Sequence, residues 1–260
     1  MFKKQIMMIF LILVIFISVL PAQENIHFKV LTYNLRFGEL ASLEDLAEFI
    51  RSQNPDVVAL QEVDVKTYRQ WIPQQNGKDF ITELGFRTGM LTAYAKTIPF
   101  ANGYYGIGIL SKYPFTETKR FMLPLPEGAK EQRTLLLSNV ELPDGNIFTF
   151  ICTHLDYPSS EVRQVQVEAL TSTLKSNPYP MILAGDFNAS PDAPEIKTGM
   201  ANWLQVSTPD FTFPSSEPKA KIDYIFCYPD SVWIVDSATT PRVKLSDHLP
   251  VCASLQLKLP

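Results

Sequence analysis

Hydrophobic positions in this chain come mostly in short runs bounded by turn residues, and helical spacing appears in only a few places. Residues 27–34 alternate and are rich in β-formers, which predicts a strand ending at Asn34. Leu43, Leu46, Ala47 and Ile50 then recur at helical spacing behind Ser42, a good N-cap, with Glu44 and Asp45 in the first turn, where negative charge is favoured. Asn54-Pro55 stops this helix, and the apolar run 57–60 predicts a second strand that ends at Gln61-Glu62. Such a β-α-β unit sets Asn34 and Glu62 at neighbouring strand ends. Between residues 64 and 102 the rhythm weakens. Trp71, Phe80, Ile81, Leu84 and Phe86 suggest a helix and its packing partners, with Gly85 at the exit. Residues 104–111 read as a strand whose glycines admit close approach of the chain or of a ligand.

Further on, runs 135–140 and 147–153 flank Pro143-Asp144-Gly145-Asn146, a hairpin signal. Residues 160–174 predict a helix with Val162, Val165, Ala169 and Thr173 along one face. The run 181–184, enclosed by Pro180 and Gly185, predicts a buried strand that delivers Asp186 and Asn188 to its C-terminal end. Pro191, Pro194, Pro209, Pro214 and Pro218 mark an exposed, loop-rich stretch. Strands are expected at 222–227, 232–235 and 249–257, with a polar loop at 244–248. Many strands with few helices between them argue for two sheets packed face to face with helices outside.

Composition narrows the class. The chain has 260 residues, 46% of them hydrophobic, enough for one large core in a single domain over residues 26–258. Ahead of it, Lys3 and Lys4 precede an apolar run from Ile6 to Leu20 that is shorter than the roughly 20 residues of a spanning helix. Residues 1–22 therefore read as an export signal, placing the mature protein in the periplasm or outside the cell; an uncleaved N-terminal membrane anchor is the alternative. Removing them takes the net charge from −4 to −6, because Lys3 and Lys4 are the only charges there. An acidic domain is a poor partner for a polyanion, so nucleic acid is not the favoured substrate. Cys152, Cys227 and Cys252 lie in apolar runs without metal-site or redox spacing, and read as core residues.

Candidate chemistry gathers at the strand ends. Gly-Asp-x-Asn at 185–188 is by itself a weak signal, because Asp and Asn beside Gly usually make a turn. Asn34, Glu62, His154, Asp223, Asp247 and His248, however, occupy strand ends or adjoining loops in the same way. Two of the three histidines stand near aspartate, His154 with Asp156 and His248 with Asp247, whereas His27 sits mid-strand and reads as structural. Imidazole exchanges protons near neutral pH, and carboxylates at the same edge suit a hard cation. The segments Thr32-Tyr33-Asn34-Leu35-Arg36, Leu60-Gln61-Glu62-Val63-Asp64, Tyr105-Gly106-Ile107-Gly108-Ile109-Leu110-Ser111, Thr153-His154-Leu155-Asp156, Gly185-Asp186-Phe187-Asn188, Ile222-Asp223-Tyr224-Ile225-Phe226 and Ser246-Asp247-His248-Leu249-Pro250 resemble, in order, the motifs of the endonuclease/exonuclease/phosphatase family. Similarity is greatest to its small secreted bacterial hydrolases.

The resemblance implies an α/β fold, a four-layered α/β sandwich of two packed mixed β-sheets flanked by helices, and a divalent-metal phosphoesterase using Mg²⁺ or Mn²⁺. Carried across residue by residue, it implies Glu62 as principal metal ligand with Asn34 and Asp247 beside it. Asp186 would deprotonate the attacking water and Asn188 would hold that water or a phosphoryl oxygen. His248, oriented by Asp223, and His154 would stabilise the transition state and assist the leaving oxygen. Arg36 and Arg133 are candidate phosphate clamps or, equally, salt-bridge residues, and Asp64 with Arg69 reads as a solvated ion pair near the site or part of it. Apurinic endonucleases carry an acidic metal ligand where this chain has Arg36, which argues against abasic-site repair. The expected activity is hydrolysis of a small or lipid-linked phosphodiester by a monomer, with a secreted DNA or RNA endonuclease and a non-catalytic binding protein as alternatives.

Overall fold

A computed structural model describes residues 25–258; the expected export signal at 1–22 lies outside them. In chain order the elements are β1 (Ile26–Asn34), α1 (Leu43–Gln53), β2 (Val57–Val65), α2 (Phe80–Thr88), β3 (Leu91–Phe100), β4 (Gly103–Ser111), β5 (Phe115–Met122), β6 (Thr134–Glu141), β7 (Ile147–His154), α3 (Ser160–Leu174), β8 (Met181–Asp186), α4 (Pro194–Lys197), β9 (Leu204–Gln205), β10 (Asp223–Tyr228), β11 (Trp233–Thr239) and β12 (Val251–Leu257). They build two six-stranded mixed sheets, in the orders β11-β12-β1-β2-β4-β3 and β5-β6-β7-β8-β10-β9. The sheets pack through Phe28, Val30, Ala59 and Ile109 on one side and Leu136, Phe150, Ile182 and Ile225 on the other. Helices α1 and α2 cover the first sheet through Leu46, Ile50, Phe80 and Leu84, and α3 with α4 covers the second through Val167, Leu170 and Ile196. This is the expected four-layered sandwich.

Each sheet holds one parallel pair near its middle, β1 with β2 and β7 with β8. Parallel neighbours end on the same edge, so β1 sets Asn34 beside Gln61 and β7 sets His154 beside Asp186. Strand β10 runs antiparallel to β8 and begins opposite its end, with Asp223 facing Asp186. His154, Asp186 and Asp223 thus stand in one row across three strands.

Local signals set most boundaries. Ser42 and Asp45 cap α1 reciprocally, each side chain accepting the other's backbone N–H at 3.1 Å. Four expectations need correction. Helix α2 runs through Gly85 and ends at Gly89, whose φ of +70° suits a left-handed cap; Phe86 is 86% exposed and Trp71 lies outside the helix. Strand β2 continues past Glu62 to Val65. Strands β3 and β5 escaped the hydrophobic pattern because both are sheet edges, with small inward residues in the first and a mostly exposed sequence in the second. The inner face of α3 is Val162, Arg163, Gln166, Val167, Leu170 and Leu174, whereas Val165 is exposed. In β4 the close approach is made by the chain itself: a Cβ on Gly106 would lie 2.1 Å from the Ala95 carbonyl oxygen.

Candidate active site

Asp186 is the hub where the two sheets meet. Its Oδ2 accepts the Asn34 amide from the other sheet at 3.1 Å, and its Oδ1 accepts the Asn188 backbone N–H at 2.8 Å. His154 Nε2 and His248 Nε2 face the same carboxylate at 3.5 and 3.7 Å. His248 turns its Nδ1 to Asp223 Oδ2 at 3.0 Å, and the Phe213 ring packs against it with centroids 4.9 Å apart. The Asn188 amide donates to the Leu155 carbonyl at 3.0 Å and lies 3.2 Å from His154 Nε2.

Glu62 reaches the cluster through a β-bulge. The register of β2 against β4 shifts between Leu60 and Val63, and Glu62 takes φ +56° inside that shift. Asn188 (φ +50°) and Arg36 (φ +44°) adopt left-handed backbone as well. Such conformations cost about 1–3 kcal/mol each for non-glycine residues, and they persist where surrounding structure enforces them. Here Glu62 meets Asn34, Asn188 meets His154, and Arg36 meets Asp247. The Asn34 amide links Glu62 Oε1, at 3.1 Å, to Asp186.

The same residues suit a hard cation. Among the described residues Glu62 has Asn34 as its one hydrogen-bond donor, and burial followed by the neighbouring charge of Asp247 opposes its ionisation. Two crowded carboxylates with few donors are the chemistry of a cation site. Asn34 turns its amide nitrogen to Glu62, and its oxygen accepts the Arg36 backbone N–H at 3.0 Å. Asp247 is not free of partners: Arg36 pairs with its Oδ2, and Ser246 Oγ lies 3.3 Å from its Oδ1. Asp186, Asp223 and His248 also converge within 4.8 Å, but His248 is hydrogen-bonded to Asp223 and faces Asp186 at 3.7 Å as a charge pair.

Burial dominates the electrostatics. Desolvation, with the neighbouring Asp223 charge, raises the Asp186 carboxyl to about 7. Desolvation lowers His248, but Asp223 and Asp186 outweigh it and raise the imidazolium pKa to about 10. His154 moves the other way, held well below the usual histidine range by burial, then Arg133 and His248. At neutral pH one histidine is therefore cationic and the other neutral.

The structure gathers Asn34, Glu62, His154, Asp186, Asn188, Asp223 and His248, with Asp247 beside Glu62. Three expectations change. Arg36 is committed to Glu39 and Asp247. Arg133 is buried rather than a surface residue, with Nη1 3.1 Å from Glu131 and 3.2 Å from His154 Nδ1, Nη2 3.6 Å from Asp156, and Nε without a hydrogen-bond partner. Asp64 and Arg69 form a buried bidentate pair at 2.6 and 3.0 Å rather than a solvated one, with the guanidinium between Phe37 (3.8 Å) and Phe100 (4.4 Å). His154 and His248 are buried as well. Sequence reading missed Glu131, Phe213 and Lys221, whose buried ammonium donates to the Asp223 carbonyl. The only available signal was adjacency to Arg133 and Asp223.

Residues 31–248 match the model of the endonuclease/exonuclease/phosphatase family. The chain belongs to this family. Endonuclease/exonuclease/phosphatase proteins are hydrolases, with phosphatases and nucleases among them, and they are generally dependent on a divalent metal. YbhP of Escherichia coli, an uncharacterized protein, is 26% identical over 255 residues, spanning 90% of this chain and 98% of its own. An endonuclease/exonuclease/phosphatase structure from Bacteroides vulgatus shares the fold with a TM-score of 0.74 at 20% identity, covering 90% of this chain and all of the other. A mannosyl-6-phosphatase of Bacteroides thetaiotaomicron does so with a TM-score of 0.69 at 17% identity over 88% and 99% of the two chains.

Proposed function

We propose that this protein is a divalent-cation-dependent phosphodiesterase that hydrolyses a small or lipid-linked phosphodiester by direct attack of water. The observation that carries this reading is the buried Asp186 carboxylate, with a pKa of about 7, set between an Asp223-bound His248 and the Glu62 carboxylate that shares the Asn34 amide with it. Ionised Asp186 takes a proton from water as the water oxygen bonds to phosphorus. The bond from phosphorus to the leaving oxygen breaks, and His248, charged and aligned by Asp223, supplies the proton that oxygen needs. Asn188 holds the attacking water or a phosphoryl oxygen. Asn34, Glu62 and Asp247 would hold Mg²⁺ or Mn²⁺, which supplies Lewis-acid polarisation of a phosphoryl oxygen.

Substrate preference rests on the cleft's charge and rim. Arg36, Arg69 and Arg133 all spend their charge on internal carboxylates. Exposed Trp71 and Phe100 lie against Arg69, whose charge is felt by Glu131 beside the catalytic group, and exposed Tyr104 lies against Lys96. A neutralised, aromatic rim favours a single phosphodiester with an organic substituent over a polyanion. We read the protein as an exported monomer. The test is hydrolysis with Mg²⁺ or Mn²⁺ of bis-p-nitrophenyl phosphate, headgroup phospholipids, plasmid DNA and RNA, with Asp186→Ala as control. Turnover of small or lipid diesters that disappears in the variant supports the reading. Cleavage confined to nucleic acid, falling steeply with salt, replaces it with a nuclease.

A further inference from the structure

The two histidines of the site face opposite chemistry. His248 stands between acceptors, with Nδ1 3.0 Å from Asp223 and Nε2 3.7 Å from Asp186. His154 has a donor at each nitrogen, with Asp186 also near Nε2. Its Nδ1 lies 3.2 Å from Arg133 Nη1, and its Nε2 lies 3.2 Å from the Asn188 amide nitrogen and 3.5 Å from Asp186 Oδ2. A guanidinium has hydrogens to give and no lone pair to accept with, so the only hydrogen bond available at Nδ1 is one that Nδ1 accepts. Arg133 cannot swing away easily. Glu131 and Asp156 bracket it, and Asp156 is itself held by the backbone N–H groups of Lys130 at 2.7 Å and Tyr157 at 3.1 Å. The Asn188 amide is also fixed, by its bond to the Leu155 carbonyl.

A neutral imidazole offers one acceptor nitrogen and an imidazolium offers none. With two donors converging on the ring, the charged guanidinium makes the stronger bond and takes the lone pair. The ring proton then sits on Nε2, where Asp186 Oδ2 is a distant acceptor and the Asn188 amide is not one. That N–H is left to find a better acceptor, and phosphoryl oxygen is one. We propose that Arg133 is a positioning residue that fixes His154 as its Nε2–H tautomer and restricts it to hydrogen-bond donation to the phosphoryl group, leaving proton exchange to Asp186 and His248. The assignment of the acceptor rests on the phosphodiesterase reading; the tautomer does not. Burial and the Arg133 charge, which both disfavour imidazolium at His154, act in the same direction.

The deciding measurement is nitrogen NMR of histidine-labelled whole protein, tractable because the chain has three histidines. His154 is expected to show an unprotonated Nδ1 and a protonated Nε2 throughout the neutral range, while His248 shows both nitrogens protonated. An Nδ1–H tautomer or an imidazolium at His154 in the wild-type protein overturns the proposal, whatever the protein hydrolyses. In Arg133→Met the His154 ring is expected to exchange tautomers or take up a proton, and in Arg133→Lys to keep the wild-type pattern. Kinetics give an independent reading. His154→Ala should lose about 10²-fold in kcat, the scale for removal of one transition-state donor. His154→Gln, which retains an N–H but exchanges no proton, should recover most of that loss. A Gln variant as slow as Ala contradicts the donor-only role. Failure of all diester hydrolysis with the expected spectrum would instead sink the phosphodiesterase reading alone.

Discussion

Burial of Asp186 works against the fold. With its carboxyl raised from 3.8 to about 7, the folded chain binds that proton more tightly than the unfolded chain, so stability declines as pH rises through this window. Asp186→Asn should therefore melt at a higher temperature than the wild type in metal-free buffer near and above pH 7. The same variant should lose at least about 10²-fold in turnover, a scale set by removal of a general base. Thermal melts against pH, paired with a hydrolysis assay, check both halves. His248 stabilises the fold where Asp186 costs it, yet its contribution declines with pH in the same direction. Its pKa rises from 6.5 to about 10, so its contribution is full below 6.5 and is lost as pH climbs towards 10. Asp223→Asn removes the main source of that rise and should flatten the decline in melting temperature between those limits; an unchanged slope would refute the assignment. At this scale the sequence was informative about residue types, since Asn34, Glu62, His154, Asp186, Asn188, Asp223 and His248 all converge. It was silent on protonation, because what separates the two histidines is the cross-strand placement of Arg133 and Asp223, and neither distance is written in local spacing.

Elements that obey one local rule were legible; those set by tertiary contacts were not. The cap of α1 and the hairpin turn between β6 and β7 could be read from a few adjacent residues. The bulge at Glu62 could not, because nothing in Leu60-Gln61-Glu62-Val63 marks a register shift. Helix α3 misled for a different reason. Its buried face includes Arg163 and Gln166, polar residues that a hydrophobic pattern assigns to solvent. Arg163 donates to Glu195 Oε1 at 2.5 Å and to the carbonyls of Asp156 and Tyr157 at 3.3 and 2.8 Å, so the helix is fastened to α4 and to the loop after β7. Arg163→Met strands the buried Glu195 carboxylate. A loss of about 3–5 kcal/mol is expected from that broken buried pair. Denaturant unfolding measures it, and a double variant with Glu195→Gln should regain part of it.

For the whole molecule, packing two sheets so that both parallel pairs end at one edge concentrates carboxylates where burial makes them costly. A bound cation relieves this repulsion and binds the folded state alone, so Mg²⁺ should raise the melting temperature at neutral pH, by RT ln(1 + [Mg²⁺]/Kd) in free energy. Glu62→Gln should abolish that shift. A variant that keeps it would exclude Glu62 as the principal ligand. The layered architecture was readable from the alternation of strands and sparse helices, but the edge strands β3 and β5, exposed on one side, left too little contrast to register.

Strand β1 gives the molecule a front and a back. It enters at Ile26, on the edge away from the site, and runs nine residues to Asn34 at the site itself, roughly 30 Å at about 3.3 Å per residue. Whatever holds the chain ahead of Ile26, whether a bilayer, a bead or a fusion partner, acts as a leash on the rear of the molecule and leaves its mouth pointing outward. Such a tether leaves soluble diesters free to enter. For a short tether this turns the site edge away from the surface to which the protein is fixed, so access to that surface would depend on the length of chain ahead of Ile26.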